Sequence, residues 1–75
     1  MDMRKLVGGN VRRARARKGL TQEEFAEKSG FSQQYISDLE RGLRNPTVVT
    51  LFELAQALEI KPIELLRPPR SAKAK

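Results

Sequence analysis

The feature that most constrains this chain is a repeated pattern in which a residue that begins a helix is followed by a residue that ends one. Thr21 can cap a helix, and Glu24 occupies the reciprocal position of a capping box. Gly30 ends that segment after about eight residues, because glycine readily adopts the left-handed backbone that follows a helix. Ser32 begins a second segment, which Gly42 ends. The pattern predicts two short helices joined by a tight turn.

Further helices are predicted on both sides of this pair. Downstream, Thr47 precedes an apolar stripe with helical spacing, and Pro62 begins one more short helix. Upstream, a first helix carries an apolar stripe, but Gly8 and Gly9 weaken its beginning, so we expect it to start properly only near Asn10. No segment alternates with the period of a strand. The sequence therefore predicts an all-α fold of five short helices.

The central pair of helices has the spacing of a helix-turn-helix. Ala26 is small, as the close approach of two helix axes requires, and Gly30 supplies the turn. Ile36 and Leu39 follow on one face, where we expect them to fill the angle between the two helices. The motif is predicted at about residues 21–41.

The net charge of +6 favours a polyanionic partner, but this charge is unevenly distributed. Residues 1–19 contain seven basic residues and one acid, and residues 20–66 contain four basic residues and eight acids. Residues 67–75 contain four basic residues and no acid. The basic excess therefore lies at the two ends, and the helical middle of the chain is acidic.

Composition excludes several classes of function. The 75 residues include neither Cys nor His, which excludes thiolate or imidazole metal sites, disulfides and catalysis by histidine. No nucleophile–base arrangement is visible, so we expect no enzyme activity, no metal and no cofactor. The length predicts one domain over residues 1–67, followed by a disordered basic tail over residues 68–75. No apolar run resembles a signal peptide or a membrane span, which predicts a cytoplasmic protein without a membrane partner.

Five short motifs occur together in a fixed order that is typical of one protein family. In chain order they are Gly19-Leu20-Thr21-Gln22-Glu23-Glu24-Phe25-Ala26, Gly30-Phe31-Ser32, Ile36-Ser37-Asp38-Leu39-Glu40-Arg41-Gly42, Asn45-Pro46-Thr47 and Leu51-Phe52-Glu53-Leu54-Ala55. This combination resembles the Cro/CI-type (XRE-like, lambda repressor-like) family of bacterial and phage DNA-binding domains over about residues 10–66. The resemblance implies a compact five-helix domain, usually dimeric, whose third helix at about residues 32–41 enters the major groove of DNA.

The resemblance also implies which residues contact DNA bases, all of them on the exposed side of the third helix. These candidates are Ser32, Gln33, Gln34, Ser37 and Asp38. A glutamine amide offers a donor and an acceptor together, which matches adenine N6 and N7 in the major groove. Asp38 repels phosphate, so we expect it either to accept from cytosine N4 or only to discriminate between bases. The alternative for the two glutamines is that they are simply solvated at a helix start.

A second set of candidates flanks that helix and carries donors that can reach DNA phosphates. The set comprises Gln22, Tyr35, Arg41, Arg44 and Asn45. Gln22 lies at a helix start, where backbone N–H groups and the helix dipole favour an anion, although it could instead be a solvated side chain. Tyr35 could alternatively pack beside Leu39.

Arg15 differs from the other arginines of the first helix because it lies on the inward stripe. A buried guanidinium requires a partner, and the resemblance pairs this arginine with the glutamate of the Leu-Glu-Arg-Gly motif, Glu40. We therefore expect Arg15 and Glu40 to form a structural ion pair. Arg13 and Arg17 are predicted on a solvated face, with a phosphate or partner contact as the alternative.

The fourth helix is apolar over more than one face, which a domain of this size can only partly bury. Candidates for a two-fold dimer interface are Val49, Phe52, Ile60, Ile63 and Leu66. The alternative is that all five belong to the monomer core. A dimer would predict a palindromic DNA site with half-sites ~34 Å apart.

Together these features predict a small transcriptional regulator that binds specific double-stranded DNA as a homodimer and lies on the nucleoid when bound. No site for a small-molecule ligand is evident. One alternative is a protein-interaction module, antitoxin-like or a co-regulator, for which DNA binding is secondary. Another is a binder of RNA or of a membrane surface through the basic ends, which would show salt-sensitive binding without base preference.

Overall fold

A computed structural model describes residues 1–68 and contains four α-helices followed by a short 3-10 helix. The elements are α1 (Met3–Arg17), α2 (Gln22–Ser29), α3 (Gln33–Glu40), α4 (Val48–Leu58) and the 3-10 helix (Pro62–Leu66). No strand occurs within these 68 residues, so the all-α prediction is confirmed. The fifth predicted helix is a five-residue 3-10 helix, which suits a single turn that begins with proline. Of the predicted tail, residues 69–75 lie outside the described part of the chain.

The caps that the sequence predicted for the three central helices are present. Thr21 Oγ1 accepts from the backbone N–H of Glu24 at 3.0 Å, and the Glu24 carboxylate accepts from the Thr21 N–H at 2.9 Å. The side chains of Ser32 and Thr47 accept in the same way at the starts of α3 and α4. Gly30 ends α2 with a φ of 86°, which confirms the left-handed turn between α2 and α3.

The predicted start of α1 near Asn10 is wrong, because α1 begins seven residues earlier in the chain, at Met3. Asp2 caps the helix by accepting from the N–H groups of Arg4 and Lys5. Gly8 lies inside the helix without interrupting it. Its lack of a side chain allows α3 to pack closely against α1. A Cβ placed on Gly8 would lie 2.2 Å from the carbonyl oxygen of Leu39 on α3.

The core lies between α1, the helix-turn-helix and α4. Ile36 and Leu39 are fully buried, as the motif spacing predicted, and Ala26 is also buried. The remaining core side chains come from α1, α2, α4 and the 3-10 helix, namely Val7, Val11, Ala14, Phe25, Leu54, Ala55, Leu58 and Leu65. Asn10 is buried as well, and its Nδ2 donates to the carbonyl oxygens of Leu65 at 2.9 Å and Arg67 at 2.7 Å. The Asn10 amide of α1 therefore holds the 3-10 helix in place.

Candidate nucleic-acid interface

The first turn of α3 presents two amide side chains to solvent. Gln33 and Gln34 are exposed, and the side chain of Ser32 caps the turn by accepting from the Tyr35 N–H at 3.0 Å. One turn further along, Ser37 is half-buried. The structure therefore places these candidate base contacts on one surface of α3, opposite the side chains that anchor the helix in the core.

The carboxylate of Asp38 is the centre of the polar contacts on this surface. Its Oδ1 accepts from Gln34 Nε2 at 2.9 Å and from Arg41 Nη2 at 2.8 Å. Its Oδ2 lies 3.7 Å from Arg44 Nη2. The hydrogen bond from Gln34, together with Arg41 and the charge of Arg44, holds the pKa of this carboxyl below its ordinary value. The Asp38 side chain is therefore ionised at neutral pH and linked to three other candidate contact residues.

Tyr35 forms an aromatic pair that the sequence prediction missed. Its ring stacks on that of Phe31, with centroids 5.0 Å apart, and the Arg44 guanidinium lies 5.2 Å from the centre of the Tyr35 ring. Burial raises the pKa of the Tyr35 hydroxyl above its ordinary value. The signal that could have revealed this pair is the spacing of two aromatic residues four positions apart across a helix start. The stack supports Arg44 at the edge of α3, while Asn45 follows in the exposed loop.

Arg15 and Glu40 form a bidentate ion pair between α1 and the end of α3. Arg15 Nε lies 2.6 Å from Glu40 Oε2, and Arg15 Nη2 lies 3.0 Å from Glu40 Oε1. The side chains are 15% and 4% exposed. The hydrogen bond to Glu40 raises the pKa of Arg15, and the remaining Nη1 donates to the Leu20 carbonyl at 2.8 Å.

Gln22 joins the same pair from α2. Its Nε2 donates to Glu40 Oε1 at 3.0 Å, a contact that the sequence prediction of a phosphate-binding or solvated glutamine did not include. One carboxylate therefore connects α1, α2 and α3. Nothing in the local sequence around Gln22 indicates this contact, because the two residues are 18 positions apart.

Most of the candidate dimer residues remain uncovered by the monomer. Phe52 of α4 is 53% exposed and Ile63 of the 3-10 helix is 55% exposed. Val49 and Leu66 are exposed as well, whereas Ile60 is partly buried against the core. Val48, which is not among these candidates, is the most exposed of the α4 apolar residues. Four of the five candidates therefore lie on the surface.

Residues 1–68 contain neither a membrane-spanning helix nor a cluster of metal-binding carboxylates. No helix in this range has the length and apolar character needed to cross a membrane. Within the same range, no group of three or more acidic side chains is arranged to hold a metal ion.

Comparison with known proteins identifies the architecture. A helix-turn-helix family model matches residues 11–65. The uncharacterised HTH-type transcriptional regulator y4dJ of Sinorhizobium fredii (strain NBRC 101917 / NGR234) is 68% identical over 68 residues, covering 91% of this chain and 88% of that protein. The crystal structure of the hypothetical transcription factor NHTF from Neisseria superposes with a TM-score of 0.88 at 33% identity, covering 96% of this chain and 83% of that one. The structure of SinR, a master regulator for biofilm formation, in complex with DNA gives a TM-score of 0.77 at 32% identity, covering 81% of this chain and 98% of that one.

The family model spans the capped helices, the glycine turn and the exposed surface of α3. The similar proteins are regulators of transcription, and the similarity extends over most of this chain and most of each of theirs. The chain therefore belongs to the Cro/CI-type helix-turn-helix family of DNA-binding transcriptional regulators, which are not enzymes.

Proposed function

We propose that this protein recognises a specific duplex DNA sequence as a homodimer, with α3 lying in the major groove. The observation that carries the proposal is the exposed first turn of α3. Gln33 and Gln34 face solvent, while Ile36 and Leu39 of the same helix are fully buried. One side of α3 is thus anchored in the hydrophobic core and the other side is open to solvent, as a helix that contacts DNA bases requires. The complex of the similar regulator SinR with DNA supports DNA binding by this fold.

Base recognition is assigned to the solvent side of α3. The two glutamine amides match adenine in the major groove, and the hydroxyl groups of Ser32 and Ser37 can donate to or accept from base edges. Asp38 completes the set as an acceptor for cytosine N4 or as a group that discriminates against other bases. These residues specify the sequence, and the positioning of the helix depends on contacts to the DNA backbone.

Phosphate contacts are assigned to both flanks of α3. Arg41, Arg44 and Asn45 follow the helix, and Tyr35 lies beneath the Arg44 guanidinium. Gln22 is held by Glu40 through one N–H of its amide, and the second N–H can still donate to a phosphate. The contact to Glu40 therefore orients Gln22 for DNA binding and does not remove it from that role.

The homodimer is assigned to the exposed apolar surface formed by Val49, Phe52, Ile63 and Leu66, with Ile60 at its edge. Two copies related by a two-fold axis would cover this surface and place their α3 helices on half-sites ~34 Å apart. Such an arrangement predicts a palindromic operator. The location we propose is the bacterial cytoplasm, on the nucleoid while the protein is bound to DNA.

Selection from random duplex DNA at a stated salt concentration tests sequence recognition. We expect wild type to enrich one palindromic sequence. Gln33→Ala or Gln34→Ala should lose preference at one or two base pairs, with a loss of about 1–3 kcal/mol of discrimination at each base pair. Gln56→Ala is the matched control, because Gln56 is an exposed glutamine on α4. Selection of one and the same sequence by wild type and both α3 variants would overturn the assignment of base contacts.

Analytical ultracentrifugation of the free protein tests the dimer. We expect Phe52→Ser and Ile63→Ser to shift the protein towards monomer, because each removes an exposed apolar side chain from the proposed interface. Met3→Ser is the control, since Met3 is also an exposed apolar residue but lies on α1. A wild-type protein that is monomeric both free and on its operator contradicts the dimer.

A further inference from the structure

The geometry points to Asp38 as a positioning residue that sets DNA selectivity. Its carboxylate holds the amide of Gln34 in one orientation and restrains Arg41 and Arg44, so that general affinity for phosphate is lowered while base discrimination is raised. The inference rests on the proposed function, because it concerns the same surface of α3. Of the two roles given above for Asp38, it selects discrimination, exerted through the neighbours of Asp38, over acceptance from cytosine N4.

The first step concerns the direction of the Gln34 amide. Gln34 and Asp38 lie one helical turn apart, and the 2.9 Å bond joins Nε2 to Oδ1. An unrestrained glutamine can rotate its amide and offer either a donor or an acceptor to a base. With one N–H of Nε2 bound to Asp38, the Oε1 acceptor and the second N–H are left for DNA in a fixed orientation. Gln34 is then suited to a base that carries an exocyclic amine in the major groove, namely adenine or cytosine.

The second step concerns the two arginines. Arg41 Nη2 donates to the same Oδ1 that Gln34 uses, and Arg44 Nη2 lies 3.7 Å from Oδ2 while its guanidinium also rests on Tyr35. Some of the donors that could reach phosphate are therefore occupied within the protein. The carboxylate itself is 17% exposed on the surface that faces DNA, where it repels phosphates.

Two substitutions separate the charge of Asp38 from its role as an acceptor. Asp38→Asn removes the charge but keeps an oxygen that can accept from Gln34, whereas Asp38→Ala removes both. We expect both variants to bind non-specific duplex DNA about threefold more tightly at low salt. We also expect the slope of log K against log salt to steepen by about one in both.

Base preference distinguishes the two variants. Asp38→Ala should lose about tenfold discrimination at the base pair that Gln34 reads, and Asp38→Asn should keep most of it. Glu53→Gln is the control, because it removes one exposed negative charge from α4 and should leave the selected sequence unchanged. Equal melting temperatures for the Asp38 variants and wild type would show that the change in preference does not arise from unfolding.

The double variant Gln34→Ala/Asp38→Ala tests whether Asp38 acts through Gln34. We expect it to select the same sequences as Gln34→Ala alone. A further loss of preference in the double variant would show that Asp38 contacts a base itself and would overturn the positioning role. The inference also fails if Asp38→Ala leaves base preference unchanged while Gln34→Ala alters it, an outcome that leaves the proposed function intact. The proposed function fails instead if neither Gln33→Ala nor Gln34→Ala alters the selected sequence.

Discussion

Two carboxylates on α3, only two residues apart, differ in burial and in the elements that they connect. Glu40 is 4% exposed and accepts from Arg15 on α1 and from Gln22 on α2. Asp38 is 17% exposed and accepts from Gln34 of its own helix and from Arg41 immediately after it, with Arg44 Nη2 3.7 Å from its second oxygen. Each acid accepts hydrogen bonds from an arginine and a glutamine. The contacts are chemically alike, but Glu40 connects three helices, whereas Asp38 connects α3 with the segment directly after it.

This contrast shows how burial and sequence separation decide what an ion pair does. Removal of one partner from a buried pair leaves an uncompensated charge, whereas an exposed pair is screened by water and salt. We therefore infer that the Glu40 cluster stabilises the arrangement of the helices and that the Asp38 cluster tunes the surface that meets DNA. The following predictions test that division, from the largest expected effect to the smallest.

Arg15→Ala should cause the largest loss of stability. It leaves Glu40 buried without its arginine, which typically costs about 3–5 kcal/mol and should lower the melting temperature by more than about 10 °C. Thermal unfolding followed by circular dichroism measures the shift. Arg17→Ala is the control, because Arg17 is an exposed arginine on the same helix. Equal shifts for the two variants would rule out a special structural role for Arg15.

Gly8→Ala should destabilise the protein next most strongly. The new Cβ would lie 2.2 Å from the Leu39 carbonyl oxygen, so α1 and α3 would have to separate next to the Glu40 cluster. Overpacking of this kind typically costs about 1–3 kcal/mol. Gly9→Ala should instead stabilise by about 0.5–1 kcal/mol, because its Cβ meets only the end of the Arg13 side chain at 3.4 Å. Chemical denaturation should show opposite signs for these adjacent substitutions, and the same sign for both would contradict the close approach.

Asp38→Ala should change stability little, in contrast to Arg15→Ala. Its partners are exposed and close in sequence, so we expect a melting temperature within about 3 °C of wild type. The same thermal melts provide the measurement. A decrease as large as that of Arg15→Ala would show that the two carboxylates do not differ in the way that their burial indicates.

Variation of pH near neutrality should have the smallest effect. The hydrogen bond from Gln34 lowers the pKa of Asp38 from its ordinary value, so its stabilisation is present above its unfolded pKa and is lost only as pH falls through the folded value. The hydrogen bond to Glu40 raises the pKa of Arg15 from its ordinary value, so its stabilisation is fully present below the unfolded pKa and is lost only as pH rises through the folded value, far above neutrality. The chain contains no His. Melting temperature and operator affinity should therefore be flat between about pH 6 and 9, and a transition inside that window would point to a titrating group outside these two clusters.

Much of the fold could be predicted because its signals are local. The caps formed by Thr21, Ser32 and Thr47 each join residues three positions apart, so the composition of a single turn specifies them. The predicted start of α1 near Asn10 is wrong because glycine weakens a helix when only local propensity is considered. α3 packs closely against α1 at Gly8 because this residue has no side chain. No feature of residues 1–10 indicates that close approach.

The exposure of residues at the start of α3 could be predicted from the sequence, whereas their contacts with one another could not. The motif indicated that the amides of Gln33 and Gln34 would be available at the start of α3, and both are exposed. The link from Gln34 to Asp38 and the stack of Tyr35 on Phe31 depend on side-chain conformations. From the sequence alone, each of these side chains could equally well adopt another conformation and contact another partner. The contact of Gln22 with Glu40 depends on the angle between α2 and α3.

The sequence by itself determined where the helices of the central motif begin and end, the family of the chain, and the separation of its basic ends from an acidic middle. Only the tertiary structure decided which glutamine is held by another helix and which apolar residues of α4 remain uncovered. The physical reason is the range of the interactions. Capping and charge are properties of adjacent residues, whereas burial and contacts such as that between Arg15 and Glu40, 25 positions apart, exist only after the helices have packed.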